Sequence, residues 1–203
     1  MDPELPDSET KDIVGMAIHH AVSQFMMPSI THIAPINTIG AFFLQFTRAQ
    51  TYHPVAGSIT VLAGGTPFGR RAEPDKAEEH EYYLWIERNH PNGETEIIDF
   101  GAPYWKAWAE EQGAPWEGAE PPMAVWALKD DAAESLAVYE ADPGLTDAVR
   151  KAIHDAVAER DSGDVASRWE DAVNDATEYM LNYEAGARYL IEAGIAEPYG
   201  EEE

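Results

Sequence analysis

The segment HEYYLWIERNHPNGETEIIDF, residues 80–100, constrains the fold more than any other part of the chain. HEYYLWIER and TEIIDF are dense in aromatic and β-branched residues, and the stretch between them carries Asn92-Gly93. Asn-Gly tolerates the positive φ angles of a tight hairpin turn, so the segment reads as two antiparallel strands, 80–88 and 95–100. A lone hairpin is barely stable in water and needs further strands or a covering helix. The rest of the chain has to supply those layers.

Helical patterns flank the hairpin. Asp7 and Ser8 can cap a helix that runs to Met27, with Val14, Ile18, Ala21, Val22 and Phe25 as its apolar stripe and Pro28 ending it. A second helix is expected from Pro35 to Arg48, with Ile36, Ile39, Phe43 and Phe46 on one side. The run Phe42-Phe43-Leu44 leaves it little polar face, which predicts burial. SITVLA (58–63) alternates as a strand should and stops at Gly64-Gly65, after which GTPFGRRAEPDKAEE reads as a loop. Pro103 opens a short helix, and MAVWALK (123–129) reads as another strand. Beyond it the pattern is helical to the end. Thr146 caps a helix with Val149, Ile153 and Ala156 inward, and a later helix carries Val165, Trp169, Ala172, Ala176 and Met180. The predicted class is α+β, a small and mostly antiparallel sheet bracketed by helices. Residues 1–130 form the core, and 131–203 a helical extension packing on the same domain.

Thirty-eight acids against thirteen bases give a formal charge of −25, which repels a phosphate backbone and argues against nucleic acid as a partner. Only five of the thirteen bases are lysines, and such a surface suits high salt, where self-repulsion is screened. The chain has no cysteine, so as it stands it has no disulfide and no thiol nucleophile. No apolar run approaches the ~20 residues of a membrane span, and MDPELPDSETK lacks the basic and apolar order of a signal peptide. The expected location is the cytoplasm. Adjacent His19 and His20 would point about 100° apart on a helix and cannot easily share an ion, so neither a metal nor another cofactor is expected.

The start of the second helix poses a chemical question. With Pro35 at the first helical position, Ala34 is the N-cap, where Ser, Thr, Asp or Asn would normally accept a bond from a free N–H. Alanine can accept none, at a terminus rich in unpaired donors and positive dipole.

The order of the segments APINTIGAFFLQF, VAG (55–57), YLWIE and EIIDF resembles the papain-like and transglutaminase-like cysteine peptidase superfamily. The resemblance covers residues 30–100. In that family a nucleophilic Cys opens a buried helix, a His lies on a following strand in a His-any-Trp context, and an Asp or Asn lies on the next strand. The resemblance places Ala34 at the nucleophile position, Tyr83 at the base position beside Trp85, and Asp99 as the orienting acid. His80, three residues before Tyr83, is the alternative base. Tyr82, Trp85 and His32 are expected to line the ligand cleft. The implied function is a catalytically silent protein that binds a peptide or protein partner in the former active-site cleft. Two alternatives stand beside it: an amide-cleaving or acyl-transferring cysteine enzyme inactivated by a Cys-to-Ala change at position 34, and an unrelated acidic protein-binding or inhibitor module.

Overall fold

The computed structural model describes residues 5–25, 33–48, 52–73, 82–158 and 165–197. Among them, seven helices enclose a six-stranded antiparallel sheet, the α+β architecture expected from the sequence. Helices α1 (Ser8–Phe25) and α2 (Ile33–Arg48) come first, and strands β1 (His53–Val61), β2 (Phe68–Arg70), β3 (Tyr83–Asn89) and β4 (Thr95–Asp99) follow. A 3-10 turn at Ala102–Tyr104 leads into α3 (Trp105–Glu111). Then come β5 (Val125–Leu128), α4 (Lys129–Ser135), β6 (Ala137–Ala141), α5 (Pro143–Ala158), α6 (Val165–Met180) and α7 (Glu184–Glu192).

The predicted hairpin is present as β3 and β4, with Ile86 opposite Ile98 and Asn89 opposite Thr95. Gly93 has the positive φ, 90°, that its turn requires. Strands β2-β1-β3-β4-β5 are each bonded to the next, and β6 pairs with β1 as well. Gly57 lies opposite Tyr83 of β3 on one side and opposite Ala141 of β6 on the other. Since β2 shares Ile59–Val61 with β6, it continues the line of β3 along β1.

The alternation of strand side chains divides the core in two. On one face Ile86, Ile98 and Trp126 pack with α1, α2, α6 and α7. On the other, Val55, Ile59, Tyr83, Trp85, Ile97, Val125 and Tyr139 pack with residues of α3 and α4. Ile36, Phe43 and Leu44 of α2 are fully buried, each contributing roughly 1.5–3 kcal/mol relative to exposure. A buried charge cluster pins the first face: Glu96, fully buried, accepts bonds from Arg88 Nη1 at 3.3 Å and from Trp126 Nε1, and meets His90 Nε2 at 3.0 Å.

Several local expectations change. Helix α2 begins at Ile33, two residues before Pro35. A proline is tolerated at its third position because none of the first four N–H groups has a partner within the helix. Ala34 is therefore inside the first turn rather than the cap. Phe46 is 55% exposed, and Thr47 takes the inward place, bonded to Tyr189 Oη at 2.9 Å. The α5 cap is Asp142, whose Oδ1 accepts from Leu145 N–H at 2.8 Å, with Pro143 at the first helical position. Thr146 instead clamps β1, accepting from Ala56 N–H and donating to Ala56 O, both at 3.1 Å. The segment read as a loop contains β2, and the portion after 131 read as wholly helical contains β6.

Candidate functional site

Asp99 ends β4 and is fully buried. A carboxylate in such a place needs donors around it, and the fold supplies four. Gly101 N–H donates to Oδ1 at 2.7 Å across the turn that follows the strand, and Asn37 Nδ2 donates to the same oxygen at 2.9 Å. Tyr83 Oη donates to Oδ2 at 2.8 Å and Tyr139 Oη at 3.0 Å. Trp105 Nε1 then donates to Tyr83 Oη at 3.0 Å, so the tyrosine oxygen is both donor and acceptor.

Each partner comes from a different element, for a local reason. Tyr83 and Tyr139 lie on the strands flanking β1, and Trp105 opens α3. Asn37 is a fully buried amide on a helix whose buried positions are mostly apolar. Its amide also donates to Leu84 O at 2.9 Å and accepts from Phe100 N–H at 2.8 Å, which fixes α2 against the ends of β3 and β4. Trp108 stacks on Tyr83 with centroids 5.7 Å apart and planes 14° apart, and the Arg70 guanidinium lies over Trp108 at 5.9 Å.

The electrostatics follow from burial. Desolvation holds the Asp99 pKa above the ordinary carboxylate value, outweighing the opposite pull of bonds from Asn37, Tyr83, Gly101 and Tyr139. Desolvation also pushes Tyr83 and Tyr139 well above 10, reinforced by the adjacent Asp99 charge. Both phenols are therefore protonated at neutral pH. Tyr83 holds its own proton beside the Asp99 carboxylate. Both oxygens of Asp99 are engaged by donors, so the carboxylate is not a free base.

The structure brings Tyr83 and Asp99 within hydrogen-bond distance. Ala34 lies in the first turn of α2, three positions before Asn37, with its side chain outside the described residues. His80 and His32 also lie outside them. Trp85 is fully buried, its Nε1 bonded to Glu87 Oε1 at 3.0 Å and its ring 5.3 Å from Tyr139. It is a core residue, so the expectation that it lines a cleft is corrected. Tyr82 is half-buried and packs toward Ala56, Leu84 and Leu145, a cluster separate from that of Tyr83. Asn37 and Tyr139 were missed from the sequence. Asn37 carried a signal, an amide set among the apolar residues of a largely buried helix; Tyr139 carried none once its strand was read as helix.

Among the described residues no group of three His, Asp or Glu side chains could hold a metal ion, and no helix is long and apolar enough to cross a membrane. No family model matches the chain, and no curated protein matches it. Among solved structures, a structural-genomics target of no stated function is similar over 88% of this chain and 82% of its own, with a TM-score of 0.53 and 16% identity. That likeness shows the fold alone.

Proposed function

We propose that the protein is a catalytically silent relative of the cysteine peptidases and transglutaminases that binds a peptide or protein partner beside the start of α2. The bond from Tyr83 to Asp99 carries this reading, because it reproduces the contact between base and orienting acid with a phenol in place of an imidazole. Asn37, one turn after Ala34, reaches the same carboxylate, and this meeting of α2, β3 and β4 at one group supports the reading. A phenol held well above pH 10 cannot take a proton from a nucleophile at neutral pH.

Alkylation by iodoacetamide across a pH series tests the arrangement. Ala34→Cys alone should give a thiol of near-ordinary pKa, while Ala34→Cys with Tyr83→His should react rapidly near neutrality. Fast reaction of the single variant would instead point to His80 as the base and to an enzyme that lost only its cysteine. Slow reaction of both would remove the family reading. A peptide array probed with the wild type and with Ala34→Trp tests binding, since bulk at position 34 should abolish genuine hits without lowering the melting temperature.

A further inference from the structure

An open surface cavity of about 350 Å³ lies where β1, β2 and β6 meet, lined by Ser58, Thr60, Gly69, Arg70, Arg71 and Glu140. This is at the small end of ligand sites, which run from roughly 300 to 1,000 Å³. Its frame is paired strand backbone: the register sets Ile59 opposite Arg70, Thr60 opposite Gly69, and Ser58 opposite Glu140. Gly69 is required by the close pairing of β2 on β1, because a Cβ there would come within 1.9 Å of Ile59 O.

The lining charges are of both signs. Arg71 and Glu140 are exposed, and neither side chain has a hydrogen-bond or ion-pair partner among the described residues. They line one cavity without neutralising each other. In a chain with only thirteen bases, two adjacent arginines at one cavity are a local reversal of the overall charge. Arg70 is engaged, its guanidinium over Trp108. The Thr60 hydroxyl has no partner among the described residues, and Ser58 Oγ, which accepts from Ala72 N–H at 2.9 Å, keeps its own proton to donate. A ligand that satisfied the set would bring a carboxylate to Arg71 and the hydroxyls, and a cation to Glu140.

We propose that this cavity binds a small zwitterion of amino-acid or dipeptide size, its carboxylate on Arg71 and its ammonium on Glu140. The site uses neither α2 nor Asp99, so it stands or falls separately from the function proposed above.

Calorimetric titration of the full chain at low salt with alanyl-alanine, its N-acetyl form and its C-terminal amide tests the assignment. The free dipeptide should bind saturably, and each blocked form should bind at least about 10-fold more weakly, the worth of one charge-assisted contact. Arg71→Gln should make the dipeptide and its amide equal, and Glu140→Gln should do the same for the dipeptide and its N-acetyl form. Both positions are exposed, so unchanged melting temperatures are expected. No saturable binding of the dipeptide up to ~10 mM would overturn the proposal. So would binding that both substitutions leave unchanged, or binding of inorganic phosphate in preference to the dipeptide.

Discussion

Replacing Tyr83 with Phe removes one oxygen from the Asp99 cluster and leaves the ring free to keep its stacking on Trp108, so packing is nearly conserved and the loss is polar. Two bonds end on that oxygen, one donated to Asp99 Oδ2 at 2.8 Å and one accepted from Trp105 Nε1 at 3.0 Å. A hydrogen bond to a charged group contributes about 1.5–3 kcal/mol, and a buried donor left without an acceptor costs about 1–3 kcal/mol. Trp105 is fully buried, so no water replaces the lost acceptor. Because both effects act at one site they will not add fully, and about 3–4 kcal/mol is expected. Tyr139→Phe is the matched control: it also removes a bond to Asp99 Oδ2, at 3.0 Å, but strands no tryptophan. It should cost about 1.5–3 kcal/mol and less than Tyr83→Phe, the difference being the stranded Trp105 N–H.

Urea unfolding at fixed salt, followed by far-ultraviolet circular dichroism, measures both. A double-mutant cycle with Trp105→Phe isolates the stranded N–H, since without that donor the cost of Tyr83→Phe should fall by about 1–3 kcal/mol. If Tyr139→Phe costs as much as Tyr83→Phe, or the cycle shows no coupling, the two-bond role of the Tyr83 oxygen is refuted.

Two further outcomes are expected. With a formal charge of −25, the melting temperature should rise as potassium chloride increases toward molar levels, and a flat response would remove self-repulsion as a destabilising force. The Asp99 pKa is raised by burial, so its protonated form contributes stability that is fully present below the ordinary value of 3.8 and lost as pH rises through the folded value. Asp99→Asn removes that dependence, so the stability of the wild type relative to the variant should fall as pH rises above the ordinary value of 3.8; a relative rise in urea midpoints would contradict the sign.

How much of this fold was legible depended on how far each signal is local. The β3–β4 turn needs only Asn92-Gly93, and the α1 cap needs only Asp7, whose Oδ1 accepts from Thr10 N–H at 2.7 Å. Both could be read within a few residues. Strands β2 and β6 have three and five residues and exist because β1 runs between them. Their stability comes from pairing with a distant segment, which no short window contains. Phe46 shows the same limit on a helix. Its spacing from Phe43 fits an apolar stripe, but Thr47 turns inward to meet Tyr189, a partner 142 residues away in sequence.

The candidate site divides along the same line. Tyr83 and Asp99 were found from their place on two adjacent strands, and the hairpin that carries them is a local object. The rest of the cluster is a matter of satisfying a buried charge. A carboxylate at the end of β4 has to collect donors from whatever elements arrive there, and those turned out to be α2, β6 and the turn after β4. Asn37 was within reach of sequence reasoning, because an amide on a buried helix predicts a buried polar partner. Its three bonds, to Leu84, Asp99 and Phe100, explain why an apolar residue of similar size does not stand there. Tyr139 was not within reach, since the sequence between α4 and α5 gives no hint that residue 139 will pair opposite Ile59 and point at Asp99. Local pattern locates a hairpin and the residues on it; the groups that keep a buried charge tolerable are chosen by the completed fold.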